Sequence, residues 1–351
     1  NTTLMPEQTN TLQPIIDPQH AALTLAGEAA NTAAARHVFA EYLSRRAPNT
    51  RRRQSADLTL MRDFLQTIGI ASGDLQHDPD AWRGMTWGIV SAWVQWMLNN
   101  GYAVSSVNVR LSTVKTYAKM AAQVGAITPT VYALISMVSG YRLSEGKHID
   151  EQRSLGDHRT RRGAKKATSI VLTSAQVKAL KNQPNSPQGR RDRLLICLAF
   201  DHGLRVGEIA HLEVTAFDLS EGTFTFYRPK VDKVQTHKLT ASTLRAVRAY
   251  LENDAPIAGR LLRGSLKSGE LAGGMSERAI TKRVNVLAAA IGVFGVSAHD
   301  GRHTWATRAA RNETDAFALQ EAGGWNSLAM PRRYVEEGKI ANERVKLGDE
   351  E

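Results

Sequence analysis

The sequence contains a single cysteine, Cys197, among its 351 residues. This cysteine lies in the apolar run Leu194–Phe200, which indicates a small buried side chain rather than a reactive thiol. One cysteine excludes both a disulfide framework and a cysteine-based metal site within one chain. We expect no metal and no cofactor, and the single cysteine predicts a reducing, cytoplasmic setting.

Membrane signals are also absent, and acidic residues are scarce. No apolar run approaches the roughly 20 residues that span a bilayer, and no charged-then-apolar signal segment opens the sequence. Basic residues outnumber acidic ones 45 to 34, which gives a net charge of +11 and a pI near 9.8. Such an excess favours nucleic acid or an anionic membrane as partner. Because membrane signals are missing, we expect a protein associated with the nucleoid and without membrane contact.

Length and composition predict two domains. The sequence is 42% apolar and 23% charged, which is globular composition, and it is long enough for two hydrophobic cores. Residues 1–30 are polar and lack periodicity, so they are predicted to form a flexible arm. Residues 31–146 carry apolar stripes at helical spacing and no convincing strand, which predicts a helical domain. Its helices are predicted to begin after Ala33, after Asn49 or Thr50, at Thr86, and at Ser105 or Ser106.

A basic stretch, residues 147–168, follows with almost no large apolar side chains. This composition predicts a linker. It is either a solvated connector or a strap along a phosphate backbone, and we favour the strap. If the partner is DNA, the candidate contact residues are Arg51, Arg52, Arg53, Arg110 and Lys115 in the helical domain and Arg161, Arg162, Lys165 and Lys166 in the linker.

The second predicted domain, residues 169–337, is mainly helical with one small sheet, and a tail, 338–351, follows it. Residues 223–228 and 234–239 alternate at period two around a short connection, which predicts an antiparallel hairpin. Helices are predicted from Thr173 or Ser174, over 189–202, 241–253 and 276–291, and around His299, Asp315 and Ser327.

The chemistry of this second domain lies in Arg205, in His299 and Arg302 at His-x-x-Arg spacing, in Trp325 and in Tyr334. Taken singly, each has a more ordinary interpretation as a helix cap, a core aromatic or a surface residue. Together they combine one phenol, that of Tyr334, with positively charged side chains. A phenol has a pKa of about 10 and is a poor nucleophile in water. The cations make sense if the phenol attacks an anion such as a nucleic-acid phosphate.

This order of residues resembles the tyrosine recombinase (phage integrase) family. The helical domain resembles the core-binding (SAM-like) domain of that family, through Ser105–Leu111. The resemblance covers about residues 33–337 and implies a mainly α protein, in which an α+β catalytic domain with a small antiparallel sheet follows the core-binding domain. The matching catalytic segments are Gly203–Glu208, His299–Thr304, Gly323–Trp325, and Tyr334, nine positions after Trp325.

The resemblance implies a reaction that cuts and rejoins DNA without ATP or metal. Tyr334 is expected to attack the scissile phosphate, leaving a 3′-phosphotyrosine and a free 5′-hydroxyl. Arg205 and Arg302 are expected to fork hydrogen bonds onto phosphate oxygens. Lys230, or Lys233 if the hairpin register differs, is expected to protonate the departing 5′-oxygen. The other implied roles are phosphate binding or proton acceptance by His299, phosphate orientation by Trp325, and orientation of the cations by Glu208.

Three positions depart from the family pattern. Gly301 stands where leucine is usual, Trp325 where histidine is usual, and His202 where threonine or a small residue is common. A glycine inside a helix costs about 1 kcal/mol relative to alanine. We therefore expect Gly301 to loosen its helix and to remove a core contact, although no reacting group is lost.

The preferred function is a site-specific recombinase or integrase, and whether it belongs to a host or to a mobile element stays open. It would act on double-stranded DNA with inverted-repeat sites, as a dimer on one site and a homotetramer in synapsis, with the tail 338–351 docking into a neighbouring subunit. Integration, excision, resolution and transposition share this chemistry and stay open. The alternatives are a DNA-relaxing enzyme of the type IB topoisomerase kind and a catalytically silent DNA-binding protein.

Overall fold

The computed structural model describes residues 18–162 and 169–338. The chain divides into two compact units, with the boundary between Lys165 and Lys166. Both lysines, the rest of 163–168, and the tail beyond residue 338 lie outside the described residues. Within the described ranges, no helix is long and apolar enough to cross a membrane.

The first unit is helical. Its core surrounds α5, which packs against α3, α4 and α6, and Trp82, Trp93 and Tyr117 are fully buried in it. Thr86 caps α4 by accepting a hydrogen bond from the amide of Ile89, as predicted. The helices are α1 (Pro18–Ala35), α2 (Val38–Ser44), α3 (Pro48–Thr67), α4 (Trp87–Asn99), α5 (Val104–Gln123), α6 (Pro129–Met137) and α7 (Leu143–Leu155).

Three features of this unit differ from the predictions. Residues 18–30 of the predicted flexible arm lie in α1, because alanine-rich sequence has high helix propensity even without an apolar stripe. Residues 1–17 of that arm lie outside the described residues. The N-cap of α5 is Ala103, so Ser105 and Ser106 lie in its first turn instead of capping it. Helix α6 was not predicted.

The predicted linker is helical as far as Leu155, because α7 extends into it. A buried arginine, Arg153, anchors this helix to the first unit. Its guanidinium donates to the carbonyl oxygens of Tyr102, at 3.2 Å, and Arg159, at 2.7 Å. The anchoring is polar, which explains why a search for large apolar side chains missed it.

The second unit surrounds α9, whose residues from Leu194 to Phe200, including Cys197, are buried. Helices α8, α11 and α13 pack against it. Thr173, Thr240 and Ser276 cap α8, α11 and α12 with their side chains. The helices are α8 (Ser174–Lys181), α9 (Pro187–Phe200), α10 (Val206–His211), α11 (Ala241–Asn253), α12 (Glu277–Ala290), α13 (Ala298–Arg311), α14 (Ala316–Gly323) and α15 (Ala329–Gly338).

Two small antiparallel sheets complete the second unit. The predicted hairpin pairs β2 (Thr223–Arg228) with β3 (Lys233–Lys238), Arg228 facing Lys233, and β1 (Phe217–Asp218) pairs with the other side of β2. A second hairpin, β4 (Arg263–Ser265) and β5 (Leu271–Gly274), was not predicted because its short, glycine-containing strands lack alternation. The mainly helical fold with a small antiparallel sheet is confirmed.

Candidate active site

The second unit gathers the predicted catalytic side chains from separate elements. Arg205 is the N-cap residue of α10, His299 and Arg302 lie one turn apart on α13, and Tyr334 lies on α15. Helices α13, α14 and α15 pack against one another. The spacing of three between His299 and Arg302 places both on one face of α13.

Arg302 is held by backbone carbonyls. Its guanidinium donates to the carbonyl oxygens of Gly203, at 2.8 Å, and Gly323, at 2.5 Å, and its side chain is nearly buried. The guanidinium carbon lies 4.1 Å from the centre of the Trp325 ring. Burial, with the neighbouring charges of Arg205 and Arg228, lowers the pKa of Arg302 to about 9. The group is therefore still cationic at neutral pH, and it is fixed before any ligand binds.

Gly324 permits the close packing at this point. It ends α14 in the left-handed region, at φ +58°, and a Cβ there would lie 2.6 Å from Cδ of Arg228. The carbonyl of Gly324 accepts a hydrogen bond from Arg205, at 3.2 Å. A side chain at this position would strain the backbone and displace a buried arginine.

Glu208 lies between two arginines, as its predicted orienting role requires. Its carboxylate accepts hydrogen bonds from the amide of Arg205, at 2.7 Å, and from the guanidinium of Arg205, at 2.8 Å. Both of its oxygens also accept from Nη1 of Arg228, at 2.9 Å each. Arg228 is fully buried and donates in addition to Gln235 and to the carbonyl of Ala322. Paired in this way, the Glu208 carboxylate fixes the direction of the Arg205 guanidinium.

Tyr334 is nearly buried, at 4% exposure, with its hydroxyl directed to a histidine. The distance between its Oη and Nδ1 of His303 is 2.6 Å. The Trp325 ring lies 6.0 Å from the Tyr334 ring, centre to centre. Trp325 therefore lies next to both Arg302 and Tyr334, and its ring also stacks on that of Trp305.

His299 is exposed, with its ring edge-on to that of His303 at 4.7 Å. Partial desolvation, followed by the positive charges of Arg302, Arg205 and Lys230, lowers its pKa from the ordinary value. Lys230 is exposed in the turn between β2 and β3, and Lys233 is the exposed first residue of β3. Of the two lysines, Lys230 is the one whose charge contributes to this shift.

The predicted DNA-contacting residues of the first unit differ in their availability. Arg51 and Arg52 are exposed on α3. Arg53 donates to Asp57, at 2.6 Å, and to Thr113, at 3.1 Å, so it helps to join α3 to α5. Nε of Arg110 lies 3.7 Å from Oδ1 of Asp57, and the Arg110 guanidinium lies over the Tyr102 ring.

The remaining candidates for DNA contact either interact with other residues of the first unit or lie outside the described residues. Lys115 donates to the carbonyl of Ser136, at 2.8 Å, and burial lowers the pKa of its ammonium. Arg162 donates to the hydroxyl of Tyr102, at 3.0 Å. Arg161 is half-buried, and its carbonyl accepts from Arg159. Lys165 and Lys166 lie outside the described residues.

Two residues at the site were missed by sequence reasoning. Arg228 was predicted only as a strand residue, and His303 only as part of the motif around Arg302. The signal for His303 was its spacing of four from His299, which places both rings on one side of α13. Among the described residues, no group of three or more His, Cys, Asp or Glu side chains is arranged to hold a metal ion.

Comparisons with known proteins identify the family to which this segment is similar. The model of the phage integrase family matches residues 171–339. Tyrosine recombinase XerC of Xanthomonas campestris pv. campestris (strain B100) is 26% identical over 178 residues, which cover 50% of this chain and 54% of the relative. The chain thus spans about half the length of the curated relatives that match it first. Tyrosine recombinase XerD of Rhizobium meliloti (strain 1021) is 25% identical over 300 residues, covering 82% of this chain and 85% of the relative.

Among solved structures, a lambda integrase dimer bound to a COC′ core site has a similar fold. Its TM-score is 0.59 at 15% identity, over 84% of this chain and 94% of that one. At that identity the similarity concerns the fold alone. The family match covers the segment in which Arg205, Arg302 and Tyr334 converge. Residues 171–339 therefore belong to the phage integrase family.

Proposed function

We propose that this protein is a site-specific DNA recombinase that cuts and rejoins DNA through a 3′-phosphotyrosine intermediate. The observation that carries the proposal is that the Trp325 ring lies close to both the Arg302 guanidinium and the Tyr334 ring. A scissile phosphate bound beside that ring would have both a nucleophile and a fixed cation near it.

The chemistry follows from these groups. Oη of Tyr334 attacks the phosphorus in line, and the 5′-oxygen leaves with a proton from Lys230. Arg205 and Arg302 bind the phosphate oxygens, and preorganised donors of this kind are worth roughly 3–4 kcal/mol each in the transition state. The phosphotyrosine bond conserves the energy of the broken phosphodiester, so rejoining needs neither ATP nor metal.

The covalent intermediate is the first thing to test. A suicide substrate, nicked so that the cleaved end diffuses away, should trap wild-type protein as a denaturant-resistant DNA adduct. Tyr334→Phe removes one hydroxyl and should abolish the adduct while leaving DNA affinity nearly unchanged. Tyr227→Phe is the matched control, because this phenol is half exposed and hydrogen-bonded to Asp232 at 2.8 Å. An adduct that persists in Tyr334→Phe but disappears in Tyr227→Phe would move the nucleophile.

Two other functions compete with this proposal. A topoisomerase of type IB would make the same adduct but relax supercoils without joining separate duplexes. A silent DNA-binding protein would make no adduct. The names of the two curated relatives reported above, both tyrosine recombinases, favour strand exchange. An assay that joins two separate duplexes distinguishes the enzymes.

We further propose that double-stranded DNA with inverted-repeat sites is the substrate, bound as a dimer on one site and as a homotetramer in synapsis. The dimeric state of the lambda integrase complex on its core site supports the first step. The tail beyond α15 would then join neighbouring subunits. Deleting 338–351 should leave cleavage of a single site mostly intact and abolish recombination between two sites. Full recombination by the truncated protein would contradict this role.

In the first unit we propose that exposed basic residues contact DNA phosphates. Arg51 and Arg52 are the best candidates, because Arg53 and Arg110 already interact with Asp57. Each phosphate contact contributes about −0.9 to the slope of log affinity against log salt concentration. The double variant Arg51→Ala, Arg52→Ala should therefore flatten the slope by roughly 1–2, whereas an unchanged slope would exclude both residues.

A further inference from the structure

The nucleophile of the proposed reaction already has a partner for its proton. Oη of Tyr334 and Nδ1 of His303 are 2.6 Å apart, which is the distance of a short hydrogen bond. The two rings are inclined at 61°, with their centres 5.5 Å apart. The hydroxyl therefore meets the edge of the imidazole, where the nitrogen lone pair lies.

Accepting the phenol proton requires a neutral imidazole with its own proton on Nε2. Partial burial, followed by the charges of His299, Arg333 and Arg302, lowers the pKa of His303 from its ordinary value, against the opposing effect of Asp300. The charged and titratable groups that bear on this ring are thus His299, Asp300 and Arg302 on α13 and Arg333 and Tyr334 on α15. Their net effect favours the neutral, proton-accepting form at neutral pH.

We propose that His303 is a catalytic residue that takes the Tyr334 proton as the phosphate is attacked, and this inference rests on the function proposed above. The Oη–P bond forms and the P–O5′ bond breaks. The phenol proton moves to Nδ1 of His303, and a proton of Lys230 moves to the 5′-oxygen. In rejoining, the 5′-hydroxyl gives its proton back to Lys230 and attacks the phosphorus, so that the P–O5′ bond forms and the Oη–P bond breaks. The His303 imidazolium returns its proton to the departing phenolate.

This assignment separates the roles of the two histidines. His299 is exposed and faces cations, which suits contact with a phosphate oxygen. His303 is half-buried behind it and touches the phenol. His299 was the residue that sequence reasoning assigned to either task, and the geometry gives the proton-accepting task to His303.

The alternative is that His303 only positions the Tyr334 ring. His303→Asn distinguishes the two, because the amide oxygen can accept the same hydrogen bond at about the place of Nδ1 but cannot take up a proton. General base catalysis contributes roughly 10²–10⁴-fold. The Asn variant should therefore cleave slower by about this factor if His303 is the base, and near the wild-type rate if it only positions the ring.

The cleanest assay is single-turnover cleavage of a suicide substrate with a 5′-bridging phosphorothiolate. The 5′-sulfur leaves as a thiolate and needs no proton, so Lys230→Ala should cleave this substrate at nearly the wild-type rate. The measured rate then reports activation of the nucleophile. Between about pH 5 and pH 9, the wild-type rate should fall on the acid side as the base becomes protonated. This acid limb should disappear in His303→Asn and persist in His299→Asn.

A second measurement is the cleavage rate of His303→Ala with added imidazole. A residue that only positions the Tyr334 ring would give no such rescue. Imidazole should restore cleavage in proportion to its neutral form. DNA affinity and thermal melting of both variants establish that they are folded. If the Asn variant keeps the acid limb, or if the Ala variant is folded and imidazole restores nothing, the inference is wrong. Failure of wild-type protein to form any adduct would instead reject the proposed function, so the two failures are distinguishable.

Discussion

Gly301 provides a quantitative test of how closely α13 packs on α9. From the sequence, glycine at this position in place of leucine was expected to loosen the helix and to leave a core contact empty. The structure corrects this expectation, because Gly301 is buried and no space is left beside it. A Cβ there would lie 3.0 Å from the carbonyl oxygen of Ala199, 3.1 Å from its Cβ and 3.2 Å from the Phe200 ring.

The effect of Gly301→Ala is the difference between two opposing terms. Replacing glycine by alanine inside a helix stabilises it by about 1 kcal/mol. Overpacking a filled core costs about 1–3 kcal/mol, and here the obstructing atoms belong to the buried helix α9, which cannot move as a flexible side chain would. We therefore expect a net loss of about 0–2 kcal/mol for alanine. For Gly301→Leu we expect a loss of more than about 2 kcal/mol, because three further carbons enter the same space.

Hydrogen exchange of the α9 and α13 amides measures this loss within the second unit, without the contribution of the first. Gly207→Ala is a matched control, since its Cβ would approach only the carboxylate end of Glu277, at 3.2 Å. Because the control meets no buried helix, it should show the propensity gain alone, a stabilisation of up to about 1 kcal/mol. Stabilisation by about 1 kcal/mol in Gly301→Ala would refute the close packing of α13 on α9.

Three further predictions concern the charged groups. Arg228→Met leaves the buried Glu208 carboxylate with one arginine and should cost about 3–5 kcal/mol in urea unfolding. Adding Glu208→Gln should recover part of this loss, whereas strictly additive losses would contradict the pairing. Lys230→Ala should be slow on ordinary DNA and largely rescued on a 5′-bridging phosphorothiolate; no rescue, or a rescued defect in Lys233→Ala instead, would move the role of general acid. Neutralising the predicted strap should flatten the salt dependence of DNA binding without changing sequence preference. The residues to replace are Arg161, Arg162, Lys165 and Lys166. An unchanged slope would mean that the strap is a passive spacer.

Local signals in the sequence determined much of the fold correctly. Helices α4, α8, α11 and α12 begin at side-chain caps that the sequence displays, and the alternation of 223–228 and 234–239 predicts the central hairpin. Two of the failures, those at α1 and α7, have one physical cause. Helix α1 forms by propensity without an apolar stripe, and α7 is anchored by the buried guanidinium of Arg153. Neither helix shows the periodic apolar pattern by which helices are predicted from sequence.

The predicted catalytic residues share one property, which is that each is identified by its own chemistry and spacing. Tyr334, Arg302 and Arg205 could be assigned because a phenol and guanidiniums in this order have few other uses together. The groups that hold them could not be assigned in this way. The carbonyls of Gly203 and Gly323, which bind Arg302, come from backbone that only the tertiary fold brings to α13.

Arg228 shows how a partner of this kind can be inferred from a pattern. The alternation in β2 places Phe224, Phe226 and Arg228 on one face, and all three are buried. An arginine at the end of an inward-facing row needs a carboxylate, because a guanidinium is not buried without a partner. The segment Gly203–Glu208 contains one carboxylate, Glu208, and in the structure both of its oxygens accept hydrogen bonds from Arg228. The period of the strand and the cost of burying a charge together connect the hairpin that carries Lys230 to the motif that carries Arg205.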